Sequence, residues 1–153
     1  QNKFKGQVDT LKCFFFEEVY MSSDRLDELI RDRLSPDGQV LSLKAQFIRE
    51  VGAKALAQKE ELRNLRALDL TQNDIGDEGV KAIAESEVLS NLRTLNLKSN
   101  RIGDDGARYL ANSKTLKKLR SMQLVVNDFS EEGEKALRNS TSLSSLSSLK
   151  FRV

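Results

Sequence analysis

The chain predicts a stacked α/β solenoid, and three observations carry that prediction. One pattern of residues recurs every 27 positions along the 153-residue chain, and self-similarity at such a period marks stacked repeats. Within each copy the apolar spacing changes from strict alternation to a helical stripe. Worn copies precede the clear ones, as expected where a solenoid begins, because terminal units are atypical.

The columns are these. Leu65, Leu92, Leu119 and Leu146 stand 27 residues apart, and the same interval links Leu68, Leu95, Met122 and Leu149, then Leu70, Leu97, Leu124 and Phe151. Asn73, Asn100 and Asn127 keep step, as do Ile75, Ile102 and Phe129, the glycines Gly79, Gly106 and Gly133, the helix column Ile83, Leu110 and Leu137, and the closing leucines Leu89, Leu116 and Leu143. One period earlier, Leu41, Leu43, Ile48, Gly52, Leu56 and Leu62 hold their places, while Gly38 and Gln46 replace the first Leu and the Asn. Two periods earlier, Leu11, Phe14, Phe16, Met21 and Leu29 still align, with Val19 and Arg25 where the Asn and Gly belong. The expected organisation is one domain over 1–153: an N-terminal segment 1–10, a degenerate first unit 11–37, repeats 38–64, 65–91, 92–118 and 119–145, and a terminal strand 146–153.

Each unit reads as strand, turn and helix. Leu68 and Leu70 alternate with polar neighbours, the pattern of a short strand with one buried face. Val80, Ile83 and Ala84 fall at i, i+3 and i+4, one stripe of a helix. This predicts five to six short parallel strands, with helices near 24–34, 50–58, 77–86, 104–112 and 131–139. Ser130 takes the N-cap position that Gly76 and Gly103 fill in the other copies, and both residue types are accepted there. Each inward Leu or Ile contributes about 1.5–3 kcal/mol on burial, but only by packing against the units before and after it. The Asn column sits where the chain leaves the strand, and an amide that both donates and accepts can satisfy the backbone groups freed there.

The motif Leu65-x-x-Leu68-x-Leu70-x-x-Asn73-x-Ile75-Gly76-x-x-Gly79, repeated from Leu92 and Leu119, resembles a leucine-rich repeat of the ribonuclease-inhibitor-like class, over residues 38–153. The resemblance implies a leucine-rich-repeat solenoid, or horseshoe: parallel strands on the concave face, helices on the convex face, and other proteins recognised by exposed strand residues. The class serves inhibitors, innate immune sensors, substrate adaptors and a GTPase-activating protein, so it leaves the partner open.

Composition argues against an enzyme. Without histidine, the common general base, the serine triad and His-containing zinc sites are excluded. Cys13 is alone, so no internal disulfide forms and a reducing, cytoplasmic setting is expected. Beside Phe14, Phe15 and Phe16 it reads as a packed apolar thiol rather than a nucleophile. That apolar stretch is far too short to span a membrane. The pairs Asp77-Glu78, Asp104-Asp105 and Glu131-Glu132 suggest carboxylate chemistry, but an active site is needed once, and a pair in every unit instead complements the positive end of each helix. The glycines that follow allow close packing; no Lys-Ser or Lys-Thr accompanies them as a phosphate loop requires. No catalytic residue, metal or cofactor is expected.

Function is therefore expected on the strand face. By alternation the outward fifth positions are Phe15, Ser42, Asp69, Asn96, Gln123 and Lys150, and the seventh are Glu17, Lys44, Thr71, Lys98, Val125 and Arg152. The sign runs from acidic to basic along the array. The second positions, Lys12, Gln39, Arg66, Arg93, Arg120 and Ser147, stack three arginines about 4.8 Å apart. At Leu124-Val125-Val126-Asn127 two apolar residues replace Thr71-Gln72 and Lys98-Ser99. The candidate protein-binding site is thus Arg66, Arg93, Arg120, Lys98, Gln123, Val125, Val126 and Lys150, an apolar pair ringed by charge. The plainer alternatives are valines packed under neighbours and arginines that only solvate the rim.

Another protein is the expected partner, and a regulator of an enzyme in trans, GTPase-activating-like or inhibitor-like, is the alternative. The alternative needs a rim loop with a positioned Arg or Asn, and no unit carries a distinctive insertion. A nucleic-acid surface is disfavoured by a net charge of +2 and by scarce exposed aromatics for base stacking. Six strands give a flat face on the order of 400 Å², about half of what one partner buries in a standard complex. In the last full unit Glu134 and Arg138 replace the apolar helix columns, a favourable i, i+4 pair that predicts a polar end to the array near residue 153. An open last strand would then allow weak self-association.

Overall fold

The computed structural model describes residues 21–152. In chain order its elements are α1 (Ser23–Arg33), β1 (Val40–Ser42), α2 (Arg49–Leu56), a 3-10 turn (Glu60–Leu62), β2 (Ala67–Asp69), α3 (Gly76–Ala84), β3 (Thr94–Asn96), α4 (Asp104–Ala111), β4 (Ser121–Gln123), α5 (Glu131–Arg138) and β5 (Ser148–Lys150). The five strands form one parallel sheet in sequence order. Leu41 faces Leu68, Leu68 faces Leu95, Leu95 faces Met122 and Met122 faces Leu149, so the sequence period and the strand register are the same interval. Helices α2 to α5 pack each on the next in a second layer. Packed helices need 8–10 Å between axes and strands about 4.8 Å, so the stack bends with the sheet inside.

Between the layers the repeated apolar columns close into one core. Leu65, Leu92 and Leu119 are fully buried, whereas Leu146 is only half-buried because no described unit covers its far side. The Asn column forms a ladder. Asn73 Oδ1 accepts the N–H groups of Gln46 (2.9 Å) and Ile48 (3.2 Å), and its Nδ2 donates to the carbonyls of Leu43 and Leu70. Asn100 Oδ1 accepts from Asn73 N at 3.0 Å, and Asn127 Oδ1 accepts from Asn100 N at 3.0 Å. A second ladder was hidden among the serines: the hydroxyls of Ser86, Ser113 and Ser140 donate to the carbonyls of Ala57, Ala84 and Ala111 at the end of the preceding helix, each at 2.5 Å. Helix-end carbonyls lack intrahelical partners, and these hydroxyls supply them.

At two places the structure departs from the sequence expectation. Gly103 and Ser130 are N-caps as expected, but Gly76 opens α3 itself, with φ +70, a left-handed conformation that glycine adopts at little cost. Glu134 and Arg138 do not pair with each other: Glu134 meets Arg152 at 3.4 Å, and Arg138 lies 5.0 Å over the Phe151 ring. Phe151 packs edge-on against Phe129, and this aromatic pair draws Arg138 away from its i, i+4 neighbour. The expected strand around Phe14–Phe16, with Lys12, Cys13 and Glu17, lies outside the described residues. On the side of β1 where it would add, Ser35 N donates to Val40 O and Val40 N donates to Ser35 Oγ, both at 2.9 Å. An antiparallel bridge joins Leu34 to Leu41, so the chain's own turn occupies Val40's outward backbone groups.

Candidate functional site

Apart from the exposed Val40 of β1, the strand face is polar and mostly small. Ala67, Thr94, Ser121 and Ser148 occupy its third positions, and Asp69, Asn96, Gln123 and Lys150 are cross-strand neighbours in the fifth. Two of these side chains are pinned at the strand ends: Asp69 Oδ1 accepts from the N–H and hydroxyl of Thr71 (2.9 and 2.6 Å), and Asn96 Oδ1 accepts from Lys98 N at 3.1 Å. Lys98 and Lys150 are exposed and Gln123 is half-buried.

The seventh column follows the expected alternation only in part: Lys44, Lys98 and Arg152 are exposed. Thr71 is only 8% exposed and Val125 only 7%, while Val126 is 61% exposed. Alternation holds only as long as the strand does, and the strands end at Asp69, Asn96 and Gln123. Beyond them the chain turns: Gln72, Ser99 and Val126 take φ between +57 and +59, and that left-handed step throws the side chain before the Asn outward. Val125 is therefore corrected from surface to core, and Val126 alone stands out at this turn. The candidate residues also fall into two groups. Arg66, Arg93 and Arg120 precede their strands, whereas Lys98, Gln123, Val126 and Lys150 lie toward the other ends. Arg120 and Val126 are six residues apart, at most roughly 20 Å of extended chain.

The arginine rim is held by an unusual backbone arrangement. Each rim carbonyl accepts two N–H groups of the next unit: Gln39 O from Arg66 and Ala67, Arg66 O from Arg93 and Thr94, Arg93 O from Arg120 and Ser121, and Arg120 O from Ser147 and Ser148, all at 2.8–3.0 Å. Arg66, Arg93 and Arg120 make no side-chain hydrogen bond or ion pair among the described residues. Beside them lies a groove of about 330 Å³ lined by Asp37, Gln39, Asn64, Arg66, Asn91, Arg93 and Lys118. Lys118 Nζ donates to Asn91 Oδ1 at 2.7 Å, and Asn91 Nδ2 donates to Arg63 O at 2.7 Å. The Ser35 hydroxyl and then the Gln39 N–H, with a smaller contribution from the Arg66 charge, hold the Asp37 carboxyl below the usual carboxylate range.

Sequence reasoning missed Lys118 and Asn91 because they sit in connecting loops rather than on strands. Two signals were present. Asp37, Asn64, Asn91 and Lys118 share the 27-residue step, and Lys114, Lys117, Lys118 and Arg120 are four cations in a stretch without an acid.

Among the described residues no cluster of His, Cys, Asp or Glu is placed to hold a metal ion, and no helix is long and apolar enough to cross a membrane. A family model described as "Leucine Rich repeat" matches residues 61–84 and 88–111. No curated protein matches the chain. The two matched segments open on the turns before Leu65 and Leu92 and end on helices α3 and α4. With five parallel strands in chain order and a helix between each pair, the chain is an α/β leucine-rich-repeat solenoid.

Proposed function

We propose that this chain is a non-catalytic scaffold that holds another protein against its concave strand face and the rims beside it, as ribonuclease-inhibitor-like repeats do. Leucine-rich repeats generally mediate protein–protein interaction. The observation that carries the reading here is the pairing of a fixed backbone with uncommitted side chains. Gln123, Lys98 and Lys150 make no side-chain hydrogen bond or ion pair among the described residues, yet they stand on and beside strands tied on both sides, apart from the terminal β5. Such a surface meets a partner with little backbone ordering left to lose. Val126 adds an exposed apolar contact at its edge. The four spacings between five strands give a flat face only roughly 20 Å wide, so a standard interface of about 800 Å² per partner draws in the rims as well. The lone Cys13 supports a reducing setting such as the cytoplasm.

The test is a folded triple variant, Lys98→Glu with Val126→Ser and Lys150→Glu. It should keep the parent's melting temperature and bind a purified partner at least about tenfold more weakly, since truncated anchors and reversed charges both oppose association. Parental affinity in the folded variant would place the interface elsewhere.

A further inference from the structure

We propose that the groove along the strand-start rim is a recognition site for an acidic, extended segment of the partner protein, with Arg66, Arg93, Arg120 and Lys118 receiving its carboxylates. This rests on the protein-binding reading above and names the chemistry of what is bound. Three arginines stand in adjacent units with their backbones about 4.8 Å apart, none of them neutralised by an ion pair among the described residues. Like charges so placed repel, and a bound anion would relieve that repulsion. The doubled backbone bonds at Gln39, Arg66, Arg93 and Arg120 fix the stems in register, so the row exists before any ligand arrives.

The groove is shaped for a peptide. Lys118 is already steered by Asn91, leaving two ammonium protons to donate. Gln39 and Asn64 line the same groove with amides that pair with peptide N–H and C=O groups. The planar fork of arginine matches a carboxylate with two parallel hydrogen bonds. An extended segment puts alternate side chains on one side roughly 7 Å apart, so a Glu-x-Glu stretch reaches from Arg66 to Arg120 with ordinary side-chain freedom. Asp37 and Lys118, three units apart, line opposite ends of the groove. The acidic part of the segment therefore centres on Arg93 and Arg120, away from Asp37. A nucleic-acid strand fits less well, because no aromatic side chain lines the groove to stack a base and Asp37 repels a continuous phosphate chain.

The experiment uses the whole chain and fluorescence anisotropy with three labelled probes: a twelve-residue peptide of alternating Glu and Ser, its Gln and Ser counterpart, and a single-stranded oligonucleotide of equal charge. The Glu peptide should bind, its affinity should fall as salt rises, and the Gln peptide should not bind. Arg93→Glu with Arg120→Glu should weaken the Glu peptide at least about tenfold, while the charge-matched Arg33→Glu with Lys135→Glu, on the helices, should leave it unchanged. Three outcomes would overturn the inference: no binding of the Glu peptide by the folded parent, binding by the rim variant within about twofold of the parent, or preference for the oligonucleotide. If Lys98→Glu with Lys150→Glu abolishes binding while the rim variant keeps it, acid recognition lies on the sheet; the inference then fails and the scaffold reading stands.

Discussion

Asp77 and Gly103 lie 26 residues apart and share one hydrogen bond: Asp77 Oδ1 accepts the backbone N–H of Gly103, the N-cap of α4, at 2.7 Å. The next copy repeats it, with Asp104 accepting from Ser130 N at 2.7 Å and from its hydroxyl at 2.8 Å. Asp77 and Asp104 thus each close the helix of the following unit, and what looks like a local charge preference is also a clamp between repeats. Gly106 makes room for it. A Cβ there would lie 2.5 Å from Asp77 Oδ1 and 2.6 Å from Ile102 Cγ2.

The clamp predicts coupling between these two positions. Asp77→Ala should cost about 1 kcal/mol, the usual loss for a helix cap, and Gly106→Ala about 1–3 kcal/mol through overpacking. With Asp77 already removed, Gly106→Ala should cost less, because only the Ile102 contact remains. Urea denaturation of the four-member cycle measures the difference. Simple additivity would show that the carboxylate does not determine the need for glycine.

Acid should loosen the same clamp. The N–H and hydroxyl of Ser130 hold the Asp104 carboxyl below the usual carboxylate range, whereas the unfolded chain has the ordinary value of about 3.9. A folded pKa below the unfolded one gives stability that is complete above the unfolded value and lost as pH falls through the folded value. Asp104→Asn removes that proton uptake. Between about pH 7 and about pH 3 the parent should therefore lose more stability than the variant, read as urea midpoints at each pH. Parallel curves would sink the assignment.

The fold was legible because its demands repeat. A buried Leu at 68, 95 and an equivalent Met at 122 is required once per unit, so the period exposes it without any partner being known. The Asn ladder was legible for the same reason, since each turn leaves the same backbone groups to satisfy. Ser86, Ser113 and Ser140 obey the same period but went unread, because a small polar side chain has no signature until the helix-end carbonyl it serves is in place. Val125 was misplaced by extending alternation past the strand's end at Gln123, where Thr71 and Val125 turn inward while Lys98 stays exposed. The candidate surface was half legible: the arginine row follows from spacing, but the groove needs Asn91 and Lys118, which only the folded loops bring beside it.

Depth should grade the cost of losing the ladder amides. Asn100 is fully buried and its neighbours at Asn73 N, Leu70 O and Lys98 O depend on it. Asn100→Ala should cost about 1–3 kcal/mol for each group left unpaired. Asn127 is only half-buried, so water can replace part of what Asn127→Ala removes, and that variant should lie well above Asn100→Ala in melting temperature. For comparison, Leu95→Ala should cost about 2–5 kcal/mol by opening a cavity between units. Equal melting of the two Asn variants would mean that burial does not set the price.

Val126 separates stability from binding. It is β-branched, 61% exposed and held at φ +59, a conformation that costs a side-chain-bearing residue roughly 1–2 kcal/mol and that asparagine tolerates better. The preceding units fill the same turn with Gln72 and Ser99, so nothing in the turn demands an apolar group. Val126→Asn should therefore raise stability by about 0.5–1 kcal/mol, a fraction of the left-handed cost, measured by urea denaturation. If the concave edge is an interface, the same substitution should weaken a purified partner by several-fold, about what one lost apolar contact is worth. A variant that is both more stable and fully competent would show that this valine faces solvent and nothing else.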